Sequence, residues 1–251
     1  MLILLLLAAQ DAAERFYESL RFEEAAAESP AAERVVETLR KAEHWTAAYR
    51  AIEAKLGPMR PVTLTVSFDH DGDEAAKASA RNGRGQIRFN LRKLEEYQAK
   101  IDDLERRKRE LAKEGKRLVF KVPPARIDRV IWHELTHVFH ADYAAPEWFT
   151  EGLAQWLSED PSAVQGYAQA GREPRSLDEA LEERRDAYAR GHLFWSWVAA
   201  RGAVKRVVRA SVLDGAPWKE ALERALGLSW DSLQSAEREW SAKEVERLRS
   251  K

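Results

Sequence analysis

At 251 residues the chain is long enough to bury a full-sized core, with a soft expectation of one to two domains. Hydrophobic residues make up 45% and charged residues 33%, which suits a mostly helical globular protein. The 41 Lys and Arg against 42 Asp and Glu leave a net charge of −1, which argues against a general nucleic-acid binder, and the absence of cysteine excludes disulfides, Cys-ligated zinc and thiol nucleophiles.

The run MLILLLLAAQ at residues 1–10 is the most apolar stretch. It is too short to span a bilayer as a helix. It reads as the apolar core of a secretory signal, with cleavage near Ala9, although a positive n-region is missing. An exported protein, periplasmic or extracellular, is expected if it is a signal, and a cytoplasmic one if it is a buried N-terminal turn. No integral membrane span is expected in the mature chain.

Residues 11–28 are rich in Ala and Glu and predict a helix. Ser29-Pro30 is a cap and first-turn signal for a second helix from about Ala31 to Lys55, with Val35, Val36, Leu39, Trp45, Ala48, Tyr49 and Ile52 at a helical period. Gly57-Pro58 stops it. Alternation predicts strands at 62–68 and 86–91. Between them, Asp69–Asp73 lacks the ligand spacing of an EF-hand and reads as a solvated turn. Leu94, Tyr97, Ile101, Leu104 and Leu111 form the seam of a long charged helix. Its Arg106–Arg109 run is interrupted by acidic neighbours and reads as a solvated face. A short strand is expected at 118–122, then a helix carrying Ile127, Val130, Ile131, Leu135, Val138 and Phe139. Pro146 opens another helix over 147–157, and residues 161–251 predict about four helices broken at Gly171, Gly191, Gly202, Gly215 and Gly227. The expected fold class is α+β, predominantly helical: a small antiparallel or mixed sheet packed on the helix around residue 133, then a helical C-terminal half. One domain is expected over 11–251, with a charged helical insertion at about 92–117.

The stretch richest in chemistry is IWHELTHVFHADYAAPEWFTEGLAQW, residues 131–156. His133-Glu134-Leu135-Thr136-His137 is HExxH on a predicted helix. The two histidines lie about 40° apart around the axis and one turn along it, so both imidazoles can reach one metal ion. Glu134 points along the edge of the same face, beside the ion rather than on it, where it can take a proton from an attacking water. The rival reading is two core histidines satisfied by hydrogen bonds. A catalytic zinc usually takes three protein ligands, so a third is sought downstream. No HxxGxxH extension exists, and His140 is too far along the helix for the same ion, at the surface or behind a ligand. Glu151 sits in an apolar surround, where a free carboxylate is costly and ligation relieves the cost. Gly152 is expected to let the two helices approach closely. Glu147, in the first turn, suits a capping role.

HELTH followed by PEWFTEGLAQW resembles the gluzincin metallopeptidases, closest to the bacterial peptidase-MA-like families with HExxH and PxWxxEGxA. The likeness extends over roughly residues 31–241. It implies a zincin-like catalytic domain in which His133, His137 and Glu151 hold Zn2+ and Glu134 is the catalytic carboxylate. It also implies that strand 86–91 is the sheet edge that aligns an extended peptide. Where some gluzincins carry an Asp that orients a ligand histidine, this chain has Gln155.

The expected function is a zinc-dependent peptidase acting on a peptide or protein substrate through a water activated at the metal, with Glu134 as general base. Tyr188, then His192, are the candidate donors to the oxyanion, with Tyr143 and Tyr167 weaker. Trp132, Trp148, Trp156, Trp195 and Trp197 read as core or cleft wall. The alternatives are an inactive peptidase-like envelope module that binds a protein partner, and a metal-free helical scaffold. No nucleic-acid partner is expected.

Overall fold

A computed structural model describes residues 11–57, 61–116, 126–140, 143–177 and 184–250. The apolar run at 1–10 and the strand expected at 118–122 lie outside these residues. The fold is α+β and mostly helical with one small mixed sheet. Among the described residues, no helix is long and apolar enough to cross a membrane. Backbone contacts divide the chain into two compact units.

The first unit takes in residues 11–54, 61–101 and 126–140. It opens with α1 (Ala12–Glu18), capped by Asp11, whose carboxylate accepts from Ala13 N–H. The helix expected over 11–28 therefore ends early, and the chain goes on to β1 (Arg21–Phe22). Ser29 caps α2 (Pro30–Leu39) by accepting from Ala32 N–H, as the Ser-Pro signal predicts. The single helix expected over 31–55 is two, because α3 (Ala42–Leu56) starts afresh. The Trp45 indole donates to Leu39 C=O at 2.6 Å, satisfying a carbonyl that a continuous helix would have used.

The sheet contains β2 (Thr63–Asp69), β3 (Ala76–Arg81) and β4 (Arg84–Asn90) with β1, in the order β1-β2-β4-β3. β1 and β4 flank β2 in parallel, and β3 runs antiparallel to β4. Asn82 (φ 52°) and Gly83 (φ 74°) make the tight two-residue turn of that hairpin, a conformation Asn-Gly tolerates best. Among the described residues, the strand expected at the sheet edge, 86–91, is thus interior, and the edges are β1 and β3, of which β3 shows no apolar alternation in sequence. Leu64, Val66, Ile87 and Phe89 are fully buried between the sheet and the helices.

β4 passes directly into α4 (Leu91–Lys113), the long charged helix. Asn90 links the two: its Oδ1 accepts from Lys93 N–H, and its Nδ2 donates to Asp71 and Gly72 carbonyls, pinning the acidic turn. α5 (Ile127–His140) lies on the sheet. A Cβ on Gly85 would come within 3.0 Å of Val138, so the missing side chain admits the helix. Ile127, Ile131, Leu135 and Val138 form the buried apolar face of α5 at helical spacing.

The second unit takes in residues 55–57, 102–116, 143–177 and 184–250. Its helices are α6 (Glu147–Leu157), α7 (Ser162–Gln169), α8 (Arg184–Ala200), α9 (Val204–Val208), α10 (Trp218–Leu226) and α11 (Trp230–Arg249), with a π-helical turn at Arg209–Leu213. Gly171, Gly202, Gly215 and Gly227 punctuate the helices as expected, each with positive φ. Gly191 does not; it lies inside α8. A Cβ on Gly191 would fall 2.1 Å from Trp148 C=O, and one on Gly152 would fall 2.3 Å from Gly191 Cα. These two glycines let α6 and α8 cross in backbone contact. Trp195 seals the crossing by donating its indole N–H to Phe149 C=O at 2.8 Å. Across α8 and α11, Arg190 and Glu237 form a fully buried bidentate ion pair.

Candidate metal centre

α5 begins beside Asp128, which sits in the first turn and accepts from Arg126 Nε at 3.0 Å and Nη2 at 2.8 Å. With the sheet side of the helix taken by Ile131, Leu135 and Val138, helical spacing turns His133 and His137 to the opposite face. Their Nε2 atoms stand 3.2 Å apart and the rings meet edge to face at 4.9 Å. Two nitrogen ligands of one tetrahedral zinc, each about 2.0–2.1 Å from it, stand about 3.3 Å apart. The spacing of this pair therefore fits a shared ion without a change of backbone. Thr136 is fully buried between them in sequence, its hydroxyl donating to Trp132 C=O at 2.8 Å.

Glu134 follows His133 and is buried at 7% exposure. His140, expected at the surface or behind a ligand, is not at the surface. It is buried, with its ring edge to face against His137 at 5.5 Å. Its three-residue spacing from His137 was the sequence signal for that contact.

α6 carries Glu151. Pro146 occupies the N-cap position with extended backbone, and Glu147 lies in the first turn, where the dipole favours a carboxylate. Trp148, Phe149, Leu153 and Leu157 are buried, and Gly152 faces Gly191 of α8. The close approach that Gly152 permits is therefore that of α6 to α8, not to the HExxH helix as expected. Glu151, one residue earlier, is turned about a quarter of a revolution away from that crossing and is half-buried. One ligand atom from each of His133, His137 and Glu151 lies within 4.8 Å of the other two, so this His-His-Glu group could hold a metal ion. Two imidazole nitrogens and one carboxylate oxygen are donors that suit zinc.

Gln155 is buried, and its amide nitrogen donates to Asp160 C=O at 2.9 Å. That bond ties the end of α6 to the following loop. Ser158 adds to the same stop by donating to Gln155 C=O.

The other candidates lie elsewhere in the second unit. His192 of α8 is outside the His-His-Glu group. Its Nδ1 is buried without a hydrogen-bond partner. Burial pushes its pKa down to about 4, against the opposing pull of Asp160, a hydrogen bond to the Gln155 backbone, and Glu244. The imidazole is neutral at pH 7. Tyr188 is half-buried and lines a cavity between α7 and the start of α8. The two weaker candidates both donate to backbone carbonyls: Tyr143 to Ala216 at 3.1 Å and Tyr167 to Glu173 at 2.6 Å. Burial pushes the Tyr143 phenol up to about 12, which leaves it a neutral donor. Of the tryptophans, Trp148, Trp195 and Trp197 are core, while Trp132 and Trp156 are partly exposed beneath Arg129 and Lys55 respectively. No protein-family model, no curated protein and no solved structure matches the chain.

Proposed function

We propose that the chain is a zinc-dependent peptidase. The observations that carry this reading are the facing of His133 and His137 Nε2 at 3.2 Å and the grouping of one ligand atom from each of His133, His137 and Glu151 within 4.8 Å of one another. His133, His137 and Glu151 would hold the ion. A zinc ion held there supplies Lewis acidity, lowering the pKa of water toward neutrality and polarising a carbonyl. Glu134 takes the proton from the attacking water and delivers it to the leaving amide nitrogen. Its place between the two histidines in sequence, and its burial, support that role. Among the described residues β3 is an edge strand, and its outer side would take an extended peptide by strand addition, the role expected of strand 86–91. Tyr188 borders a separate cavity and His192 is buried against the end of α6, so the reading rests on the three ligands and Glu134.

A module that holds the ion and binds a polypeptide without cleaving it is the second reading. It is favoured by Gln155, a neutral amide engaged with Asp160 where some gluzincins place a carboxylate that orients a histidine. One experiment separates the two. The zinc-loaded full chain is given a peptide library with and without chelator, beside Glu134→Gln. The peptidase reading expects chelator-sensitive cleavage that falls about 10²–10⁴-fold in Glu134→Gln while bound zinc is unchanged. Zinc binding with no cleavage by the wild-type chain leaves the binding module; no zinc binding defeats both.

A further inference from the structure

The cavity between α7 and the start of α8 has a volume of about 390 Å³, within the roughly 300–1,000 Å³ range of small-ligand pockets. Its surface is mostly apolar. The floor is one face of α7, where Ala163, Gly166 and Ala170 recur at spacings of three and four residues. Gly166 is the informative position. It stands inside a helix, where glycine is a poor former, and a Cβ there would meet nothing within 4 Å. Close packing does not require this glycine, unlike Gly152 or Gly191, and its effect is to leave the floor flat and open.

The walls are aromatic. Tyr167 is buried, and its hydroxyl is fixed on Glu173 C=O. Tyr188, which the metal group does not use, faces the same space. The charged residues among the described lining are Arg172 and Asp186, and they form a direct ion pair. A flat alkyl floor, two phenol rings and a rim whose described charges are paired with each other match an uncharged planar ring, which can meet the tyrosines edge to face or in an offset stack. We propose that this cavity is a binding site for an uncharged aromatic group, either a free small molecule or an aromatic side chain of a polypeptide. The site lies within the helical unit and does not depend on the metal reading.

The test is calorimetric and ligand-observed NMR titration of the full chain, in chelator so that no response comes from a metal. The probes are indole, indole-3-acetate, tryptamine, and a neutral blocked pentapeptide with one central tryptophan. Saturable binding of indole is expected, at least fivefold tighter than the anionic or cationic analogue. A Gly166→Leu chain places a side chain in the cavity at a position that clashes with nothing, and is expected to fold with unchanged circular dichroism and to weaken indole at least tenfold. Gly166→Ala gives a smaller loss in the same direction. Tighter binding of the pentapeptide than of indole assigns the site to a polypeptide side chain, and the reverse to a small molecule. No saturable binding of any probe, equal affinity for the charged analogues, or equal affinity in Gly166→Leu overturns the proposal.

Discussion

Arg190 on α8 and the His133–His137 pair on α5 are both polar groups set among buried helices, and they are completed in different ways. Arg190 is fully buried, and its guanidinium meets Glu237 through two bonds of 2.9 and 2.8 Å, Arg175 C=O at 3.1 Å and Ser241 at 3.4 Å. Ser241 returns a bond to Glu237. Charge, donors and acceptors balance inside that network, and nothing further is needed. The two imidazoles instead turn like atoms toward each other. That contact is one hydrogen bond when the tautomers differ, whereas a shared cation engages both lone pairs. A closed network holds a fold together; two imidazole nitrogens that face each other at a metal-ligand spacing are a candidate for chemistry.

The comparison breaks most visibly at Arg190. Glu237→Ala leaves a buried guanidinium without its counter-charge and is expected to cost about 3–5 kcal/mol of unfolding free energy in urea. His137→Ala, by contrast, truncates a half-buried imidazole and is expected to cost well under half of that in metal-free protein. Equal losses would erase the distinction.

A second contrast is with His192, a buried imidazole of α8 with no role in the proposed metal group. Its folded pKa of about 4 lies below the ordinary 6.5, so between those values the unfolded chain binds the extra proton. The stability from burying it neutral is full above about pH 6.5 and is lost as pH falls toward 4. The expected loss is about 3 kcal/mol across that window. Urea denaturation at pH 7 and pH 4.5 in chelator should show an acid-side loss that shrinks in His192→Leu; an unchanged loss would remove His192 as its source.

Zinc sharpens the comparison from the other side. At a free concentration near 100 times its dissociation constant, zinc should add about 2.7 kcal/mol to wild-type stability and nothing to His137→Ala, read as a rise in Tm. The smallest expected effect is at the α6–α8 crossing. Gly191→Ala must push the Trp148 carbonyl away, at a cost of about 1–3 kcal/mol, with the low end applying if the helices slide apart easily. A neutral Gly191→Ala would mean that the crossing is looser than the backbone contact indicates.

The residues 127–157 were the most legible part of the chain. Their apolar positions follow a helical period, Pro146 marks an unambiguous start, and the facing of two histidines four residues apart on one helix is set by local geometry alone. Where tertiary structure decides, the sequence was a poorer guide. β3 is Ala-Lys-Ala-Ser-Ala-Arg, without a β-branched or aromatic residue, and becomes a strand because β4 pairs with it. Strand order is not encoded in alternation, and the edge position that the gluzincin resemblance implies for 86–91 does not hold for β4, which lies between β2 and β3. Gly191 reads as a break by propensity, yet it continues α8 because only glycine fits against the α6 backbone. The division between α2 and α3 rests on a Trp45–Leu39 bond that no periodicity predicts.

The most direct test of the central claim is a competition titration of zinc against a chromophoric chelator, with wild type and Glu151→Ala side by side. One zinc per wild-type chain is expected, with an affinity that drops on the order of 100-fold or more when the carboxylate is removed and two histidines remain. No zinc uptake by the wild type, or equal affinity in Glu151→Ala, would contradict a His133–His137–Glu151 metal centre.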